Sequence, residues 1–297
     1  MATHNIPQIQ SSLRRTIYIW FTTDRWIRAL LFILLALGSV AMFYPFIWMF
    51  FSSFKTHTDI WRFPPTLIPD PWTLEAYFGV LDPSRANLPV AYYNSLLVSA
   101  GTVISVLITS SMGGFVFARL DFPGRDYLFY FVLATTMVPF LTLLIPLFIV
   151  MRDLNMLNTL WAVFVPSMFS SFGIFLSRQF VYGVPGELFD AAKIDGASDM
   201  RIYLNLILPL TKPILSFLAI LTFLNSFNSY LWPLVVLTGE DKLTLPLIIS
   251  RLGQGFGSND PQIIMAGSML TVIPPIIIYV IFQRNFVQGV ALTGLKG

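Results

Sequence analysis

Long apolar runs separated by single charges organise this sequence, and no alternation of polar and apolar positions competes with them. Six stretches contain no Asp, Glu, Lys or Arg: 29–54, 86–118, 127–151, 154–177, 213–239 and 261–283. A helix needs roughly 20 apolar residues to cross a bilayer. Each stretch, trimmed at its ends, therefore predicts one span, at about 29–52, 92–117, 127–150, 158–177, 213–237 and 262–283. Only Arg152 and Asp153 divide the third run from the fourth, with Asn155 and Asn158 close behind. One helix through both would reach about 50 residues, too long for a bilayer, so 151–158 is read as a tight turn. The predicted fold class is an all-α membrane protein with six transmembrane helices. The lack of alternation excludes a β-barrel as the main reading.

The basic residues give this layout a direction. If the N-terminus is cytoplasmic, twelve of the 18 lysines and arginines fall in inner segments, which favours both termini inside. The proline-rich segment 55–90 then lies outside, with Trp61, Trp72, Tyr77 and Phe78 seating it at the headgroup level. Residues 12–28 place Ile17, Ile19, Trp20 and Phe21 between arginines. They read either as an interfacial helix on the inner leaflet or as a frayed tail. The resulting organisation is an N-terminal segment 1–28, a transmembrane domain 29–283 containing an inner loop 178–212, and a cytoplasmic tail 284–297.

Composition agrees with the runs. Of 297 residues, 56% are hydrophobic and 11% charged, against roughly 25% charged in soluble domains. A net charge of +3, carried at the ends of apolar runs, is topological and does not point to nucleic acid. There is no cysteine, and the two histidines, His4 and His57, are too few and too far apart for a metal site. The first apolar run is too long for a signal-peptide core and reads as a retained anchor. No G-x-x-x-x-G-K-[ST] occurs, so the chain lacks an ATPase phosphate loop.

No ionisable residue lies inside any of the six runs, which makes a proton- or sodium-coupled carrier hard to build. Polar neutral groups are present: Ser110 and Ser111, Thr135 and Thr136, and a dense set in the fifth run, Asn225, Ser226, Asn228, Ser229 and Tyr230. Hydroxyls and amides in spans serve interhelical packing. Two asparagines three apart beside Tyr230 and Trp232 also suit an uncharged polar solute, and Pro233 opens the helical ladder nearby. Both readings stand on the residues alone.

The inner loop 178–212 is too polar to span and too patterned for a linker. Pro185 and Gly186 break the chain, Glu187 opens a short helix, and Ala191-Ala192 lie within it. Gly196 terminates that helix in the left-handed conformation, and Ser198 caps a second one with Asp199 in its first turn. The second helix stops near Pro209 and Pro213. The resulting knuckle, with small alanines flanked by Asp190 and Asp195, is read as a docking element. An amphipathic loop lying on the membrane is the other reading.

This segment resembles the EAA loop of ABC importer permeases, E-A-A-x-x-x-G followed by I-x-L-P. Here it stands as Asp190-Ala191-Ala192-Lys193-Ile194-Asp195-Gly196 and Ile207-Leu208-Pro209. A-A-x-I-D-G-A is most similar to the carbohydrate-uptake, maltose-type branch. ARLDFPGRD, LNT, LWPL and the tail FVQGVALTGLKG extend the likeness over nearly the whole chain.

The resemblance implies a type I importer permease without enzymatic activity or cofactor of its own, in a bacterial inner membrane. It implies a second permease subunit, two ATP-binding subunits that use ATP and Mg, an extracytoplasmic sugar-binding protein, and surrounding lipid. Coupling to the ATPase would fall to Glu187, Asp190, Ala191, Ala192, Asp195 and Gly196. The substrate pathway would involve Asn225, Asn228, Ser229 and Tyr230. The outer loop 240–260 carries Gly253, Gln254, Gly255, Phe256 and Gly257, which read as a flexible probe of the binding protein or as an ordinary loop. Two departures stand out: Asp190 replaces the family's Glu, and Phe227-Asn228-Ser229 replaces W-N-E/D, removing a carboxylate. The alternatives from other classes are a self-contained secondary transporter for a neutral polar solute and a membrane-embedded enzyme. Spans without ionisable residues, and without any cluster able to do chemistry, argue against both.

Overall fold

The computed structural model describes residues 25–83, 87–254 and 260–294, with side chains as far as residue 283. Among them every regular element is helical. The chain divides into two compact units, Met1–Phe51 and Ser52–Gly297. The first is built on α1 (Arg25–Ser52), a 28-residue helix that takes in the first predicted span. Ser39, its mid-helix hydroxyl, donates back to the Leu35 carbonyl at 2.8 Å, which spares the apolar phase an unpaired donor. Ile17, Ile19, Trp20 and Phe21, read as part of an interfacial helix, lie outside the described residues.

The second unit opens with the proline-rich segment, which carries α2 (His57–Ile60) and α3 (Glu75–Leu81). It folds around a buried ion pair: Lys55 and Asp59 stand 4.0 Å apart with their side chains almost fully enclosed. The Lys55 ammonium also donates to the Thr66 carbonyl and, at 3.3 Å, to the Thr66 hydroxyl. Of the four aromatics read as headgroup anchors, Trp61, Trp72 and Phe78 are exposed, and Trp72 and Tyr77 pack on Phe54. Tyr77 also shares a 2.8 Å hydrogen bond with Ser53.

The long helix α4 (Leu88–Arg119) runs unbroken for 32 residues, with its one proline in the first turn, where the missing N–H costs nothing. Then follow α5 (Arg125–Ala134) and α6 (Phe140–Asp153). The sequence predicts one straight span here; the structure has two helices bent by 102°. TTMVP makes the bend. Thr135 and Thr136 return their hydroxyls to Val132 and Leu133 at 2.7 Å each. Pro139 holds Val138 extended, at φ −81° and ψ 116°. The predicted tight turn follows, with Asn155 and Asn158 in the left-handed region at φ 54° and 57°.

α7 (Leu160–Phe164) continues through a 3-10 turn into α8 (Ser171–Tyr182) as one span. The inner loop contains α9 (Gly186–Ile194), α10 (Asp199–Ile202), a π turn at Tyr203–Ile207 and α11 (Leu208–Leu210). It turns by 74° into α12 (Lys212–Phe227). The predicted fifth span does not run on to 237 as one helix: it breaks at Asn228–Tyr230 and resumes as α13 (Leu231–Val236). The loop after it is largely helical, as α14 (Leu245–Gln254). The last helix, α15 (Pro261–Gly294), extends through most of the predicted tail 284–297. Among the described residues, four helices are long and apolar enough to cross a membrane, or six if each bent pair counts as one.

Two apolar cores hold the second unit together. One joins α3, α4, α13, α14 and the start of α15 around Val80, Ala91, Trp232, Leu245 and Ala266. The other joins the end of α4 to the inner loop around Phe115, Val181, Phe189, Ile202 and Ile207. Between them α4 meets α8 on small residues: Ser110 faces Gly173, and Gly114 faces Ser177. A Cβ on Gly114 would lie 2.4 Å from Ser177 Cβ and 2.8 Å from the Arg178 backbone nitrogen; one on Gly173 would lie 2.2 Å from Ser110 Oγ. Close backbone approach of this kind replaces the hydrophobic effect as the cohesive force between helices in lipid. Gly114→Leu is expected to destabilise by about 1–3 kcal/mol, read as a lower thermal midpoint of the detergent-purified protein. Gly253→Ala, which meets nothing within 4 Å, should leave the midpoint unchanged or raised.

Candidate functional site: a polar cavity and a loop knuckle

α12 is 16 residues long, about 24 Å at helical rise, which falls short of a hydrocarbon core of roughly 30 Å. The break that follows leaves non-helical backbone inside the fifth apolar run, and in a span such backbone persists only where protein buries it or a wet cavity meets it. Beside it lies a cavity of about 260 Å³ lined by Thr102, Ser167, Ser170, Thr222, Asn225, Ser226 and Ser229 among a few apolar side chains. No charged residue lines it. Among the described residues the side chains of Thr102, Thr222, Asn225, Ser226 and Ser229 have no hydrogen-bond partner, although the Thr102 hydroxyl is fully buried. Ser170 accepts from Gly173 N at 3.0 Å as the N-cap of α8, leaving its own hydroxyl hydrogen to give.

The predicted pathway residues separate here. Asn225 and Ser229 line the cavity. Asn228 does not, because the helix has already ended: its amide turns back to the Leu224 carbonyl at 2.9 Å. The expectation of two asparagines on one face required a continuous helix. Tyr230 and Ser229 instead border an adjoining groove of about 670 Å³ with Phe140, Pro146, Trp232 and other apolar residues, beside the α5–α6 bend. Tyr230 OH and Ser250 Oγ are 3.1 Å apart, and Gln254 donates to the same Ser250 at 3.4 Å. Gln254 and Gly253, read as contacts for a binding protein, thus end a helix whose middle touches Tyr230. Gly255, Phe256 and Gly257 lie outside the described residues. Thr102, Ser167, Ser170 and Thr222 carry no local pattern in the sequence, since they are hydroxyls scattered over three different apolar stretches.

The mouth of this region is braced by polar side chains. Asn94 donates to the carbonyls of Asp241 and Leu243 at 3.0 and 2.9 Å. Asn158 accepts from Thr238 and Gly239 at 3.1 and 2.7 Å. Trp232 donates to the Ala162 carbonyl at 2.9 Å, so the indole is structural. The adjacent Lys242, hydrogen-bonded to Asp241, holds that carboxyl below its ordinary range.

At the other end of α4 the inner loop forms a preformed knuckle. Gly196 is left-handed at φ +75°, as the sequence predicts. Ala197 N donates to Ala192 O and Gly196 N to Lys193 O, both at 3.0 Å, the paired bonds of a Schellman ending. Ser198 caps α10 through Arg201 N at 3.4 Å. Phe189 is buried under the Arg119 guanidinium, 4.1 Å from its ring centre, and Arg119 donates to the carbonyls of Val181 and Val184. Tyr203 rests on Phe115 and reaches Ser111 at 2.7 Å.

Glu187, Asp190, Ala191, Asp195 and Gly196 are exposed on the far side, together with Ile194 at 86%. Ala192 is half-buried against the inner core, so the predicted alanine face is split and only Ala191 looks outward. Nearby, Arg178 lies over the rings of Phe129 and Tyr182, and Arg125 reaches Asp121 and Asp126 at 2.8 and 3.3 Å. The Asp126 hydrogen bond holds the Arg125 guanidinium above its ordinary range.

The chain thus combines a broken helix beside an uncharged cavity with a loop knuckle that leaves Ala191 and Gly196 exposed. Residues 105–292 match the family described as the binding-protein-dependent transport system inner membrane component, and the chain belongs to that family. It is a multi-pass inner-membrane permease subunit of an ABC importer and not itself the ATPase, so the self-contained carrier drops out. The arabinooligosaccharides transport system permease protein AraQ of Halalkalibacterium halodurans is 39% identical over 255 residues, covering 86% of this chain and 91% of that protein. The lactose transport system permease protein LacG of Rhizobium radiobacter is 32% identical over 260 residues, covering 86% and 92%. The sn-glycerol-3-phosphate permease UgpE of Brucella melitensis is 32% identical over 267 residues, covering 88% and 95%. The fold matches a chain in the crystal structure of a bacterial ABC transporter that imports the acidic polysaccharide alginate, with TM-score 0.80, 24% identity, and 89% and 98% of the two chains covered.

The knuckle's end depends on Gly196, because a side chain in the left-handed region costs about 1–2 kcal/mol. Gly196→Ala should therefore speed hydrogen exchange of the amides of 195–197 by roughly five- to thirtyfold, with the exchange of α4 unchanged.

Proposed function

We propose that this chain forms one half of the pathway by which a neutral sugar, delivered by an extracytoplasmic binding protein, enters the cell, and that the knuckle at 187–209 couples it to a separate ATPase. The observation that carries the first part is the cavity at the α12 break. Amide and hydroxyl groups without protein partners, at membrane depth and with no charge among them, need a ligand that both donates and accepts hydrogen bonds. Sugar hydroxyls do both. Among the relatives' named solutes, arabinooligosaccharides and lactose are neutral, whereas sn-glycerol-3-phosphate and alginate are anionic. An uncharged lining favours the neutral class, since an anion moved into low dielectric calls for a cation beside it, and at the α8 N-terminus the Ser170 hydroxyl already takes the Gly173 N–H.

A second permease subunit completes the conduit, facing the groove bordered by Tyr230 and Phe140. Two ATP-binding subunits, using ATP and Mg, dock on the knuckle, which faces the cytoplasm as do both termini. The bias of twelve basic residues among 18 toward these segments supports that orientation. The described part of the outer segment, 55–83, and the end of α14, with Gly253 and Gln254, face the binding protein. Asp190, one methylene shorter than glutamate, still presents its carboxylate on the exposed face of α9. Closure of the ATPase dimer rocks the knuckle, and the bundle alternates between outward and inward access.

Two measurements on the complete complex in proteoliposomes test this reading. Asn225→Ala should weaken solute-dependent stimulation of ATP hydrolysis by about fivefold, the net value of one hydrogen bond, while Asn228→Ala should not change it. Equal effects, or none, would return Asn225 to packing. Ala191→Trp should abolish co-purification of the ATPase subunit or its response to solute, with the permease still in the membrane. Undisturbed docking and transport in that variant would refute the coupling role of the exposed face.

A further inference from the structure

We infer that the Tyr203 hydroxyl is a positioning group for transport: its hydrogen bond to Ser111 is the joint that carries motion of the second knuckle helix into α4 and so to the cavity. This rests on the coupling role proposed above for the knuckle and adds the residue through which it acts.

The geometry assigns donor and acceptor. Ser111 spends its only hydroxyl hydrogen on the Leu107 carbonyl at 2.7 Å, so in the 2.7 Å contact between the two side chains Tyr203 donates and Ser111 accepts. Tyr203 is 7% exposed and Ser111 2%, which removes water as a competitor. The pair sits where the helix leaves α-geometry, for Tyr203 opens the π turn Tyr203–Ile207. A π turn in an otherwise helical segment commonly marks a functional site, and here it aims the phenol at α4.

Two attachments make α4 a lever. Phe189 of α9 is held under Arg119, and Tyr203 is held on Ser111. Eight residues separate Ser111 from Arg119, about 12 Å along the helix. One attachment alone would let the knuckle pivot about α4; two, from its two separate helices, fix direction as well as position. The same helix carries Thr102 and Val106 into the cavity wall, and it has no proline after its first turn to absorb a bend. The small-residue contact with Gly173 and Ser177 ties α8 to the same movement. The compliant points are then the break at Asn228–Tyr230, which lines the groove, and the bend at Val138-Pro139, which leads into Phe140 on its border.

The test compares Tyr203→Phe, Ser111→Ala, Ser111→Thr and the double variant Tyr203→Phe/Ser111→Ala in the whole complex in proteoliposomes, with Ala191→Trp alongside. The readouts are solute transported per ATP hydrolysed, subunit co-purification and thermal midpoint. Tyr203→Phe and Ser111→Ala should each lower transport per ATP about fivefold with subunits still assembled. The double variant should be no worse than either single one, and Ser111→Thr, which keeps the acceptor, should stay near wild type. A wild-type ratio in Tyr203→Phe overturns the joint, as does a loss that follows the thermal midpoint while the ratio holds. If Ala191→Trp uncouples and Tyr203→Phe does not, only the joint fails. If Ala191→Trp is also silent, the docking reading fails and the joint with it.

Discussion

The approach of α4 to α8 is the contact on which the rest of the second unit depends. In lipid, helices gain nothing by hiding apolar surface from a medium that is equally apolar, so cohesion must come from close packing and from hydrogen bonds across the gap. Glycines at 114 and 173 remove the side chains that would keep the two backbones apart. That contact fixes the spacing at which Thr102 and Val106 reach the cavity and at which Phe115 and Arg119 reach the inner loop. One helix thereby belongs to both functional regions, and the distance between them is set by its length.

Satisfaction of backbone polar groups explains where the fold departs from straight spans. Thr135, Thr136 and Pro139 end α5 and turn the chain, while the hydroxyls recover carbonyls that the bend exposes. At Asn228–Tyr230 the ladder is interrupted beside a polar space, and Asn228 restores one acceptor contact with its own amide. Both breaks stand beside the groove: Ser229 and Tyr230 line it at one, and Phe140, directly after the bend, lines it at the other. Apolar cores at both ends keep these softer places from spreading: Val80, Trp232 and Leu245 at one, Phe189 and Ile207 at the other.

Much of this was legible in the sequence because lipid imposes a coarse code. Charge-free runs located the spans, and Pro185, Gly196 and Ser198 marked the knuckle's punctuation, where local backbone chemistry decides the outcome. The loop's likeness to the EAA pattern led to the family that residues 105–292 share. What stayed hidden was long-range. Run length could not show the 102° bend, because a bent pair and a straight helix have the same composition. Spacing placed Asn225 and Asn228 together only by assuming a helix that stops between them. Ala191 and Ala192 are adjacent in sequence, yet a helix turns neighbours about 100° apart, so one faces out and the other in. Tyr203 and Thr102 carry no signal of their own, Ser111 stood out only as a polar group in a span, and only the packing of distant segments shows what they touch.

The Schellman ending at Gly196 has a consequence for affinity. With its turn closed by two hydrogen bonds, its second helix capped by Ser198 and its base pinned by Phe189, the knuckle is already ordered before any partner arrives. Little conformational entropy remains to be lost on association, so a contact no larger than one short helix can be adequate. A preordered surface also associates without a folding step, and it can release and reseat without losing its shape. In the coupling role proposed for it, such a knuckle would serve by holding its form through each cycle rather than by gripping hard.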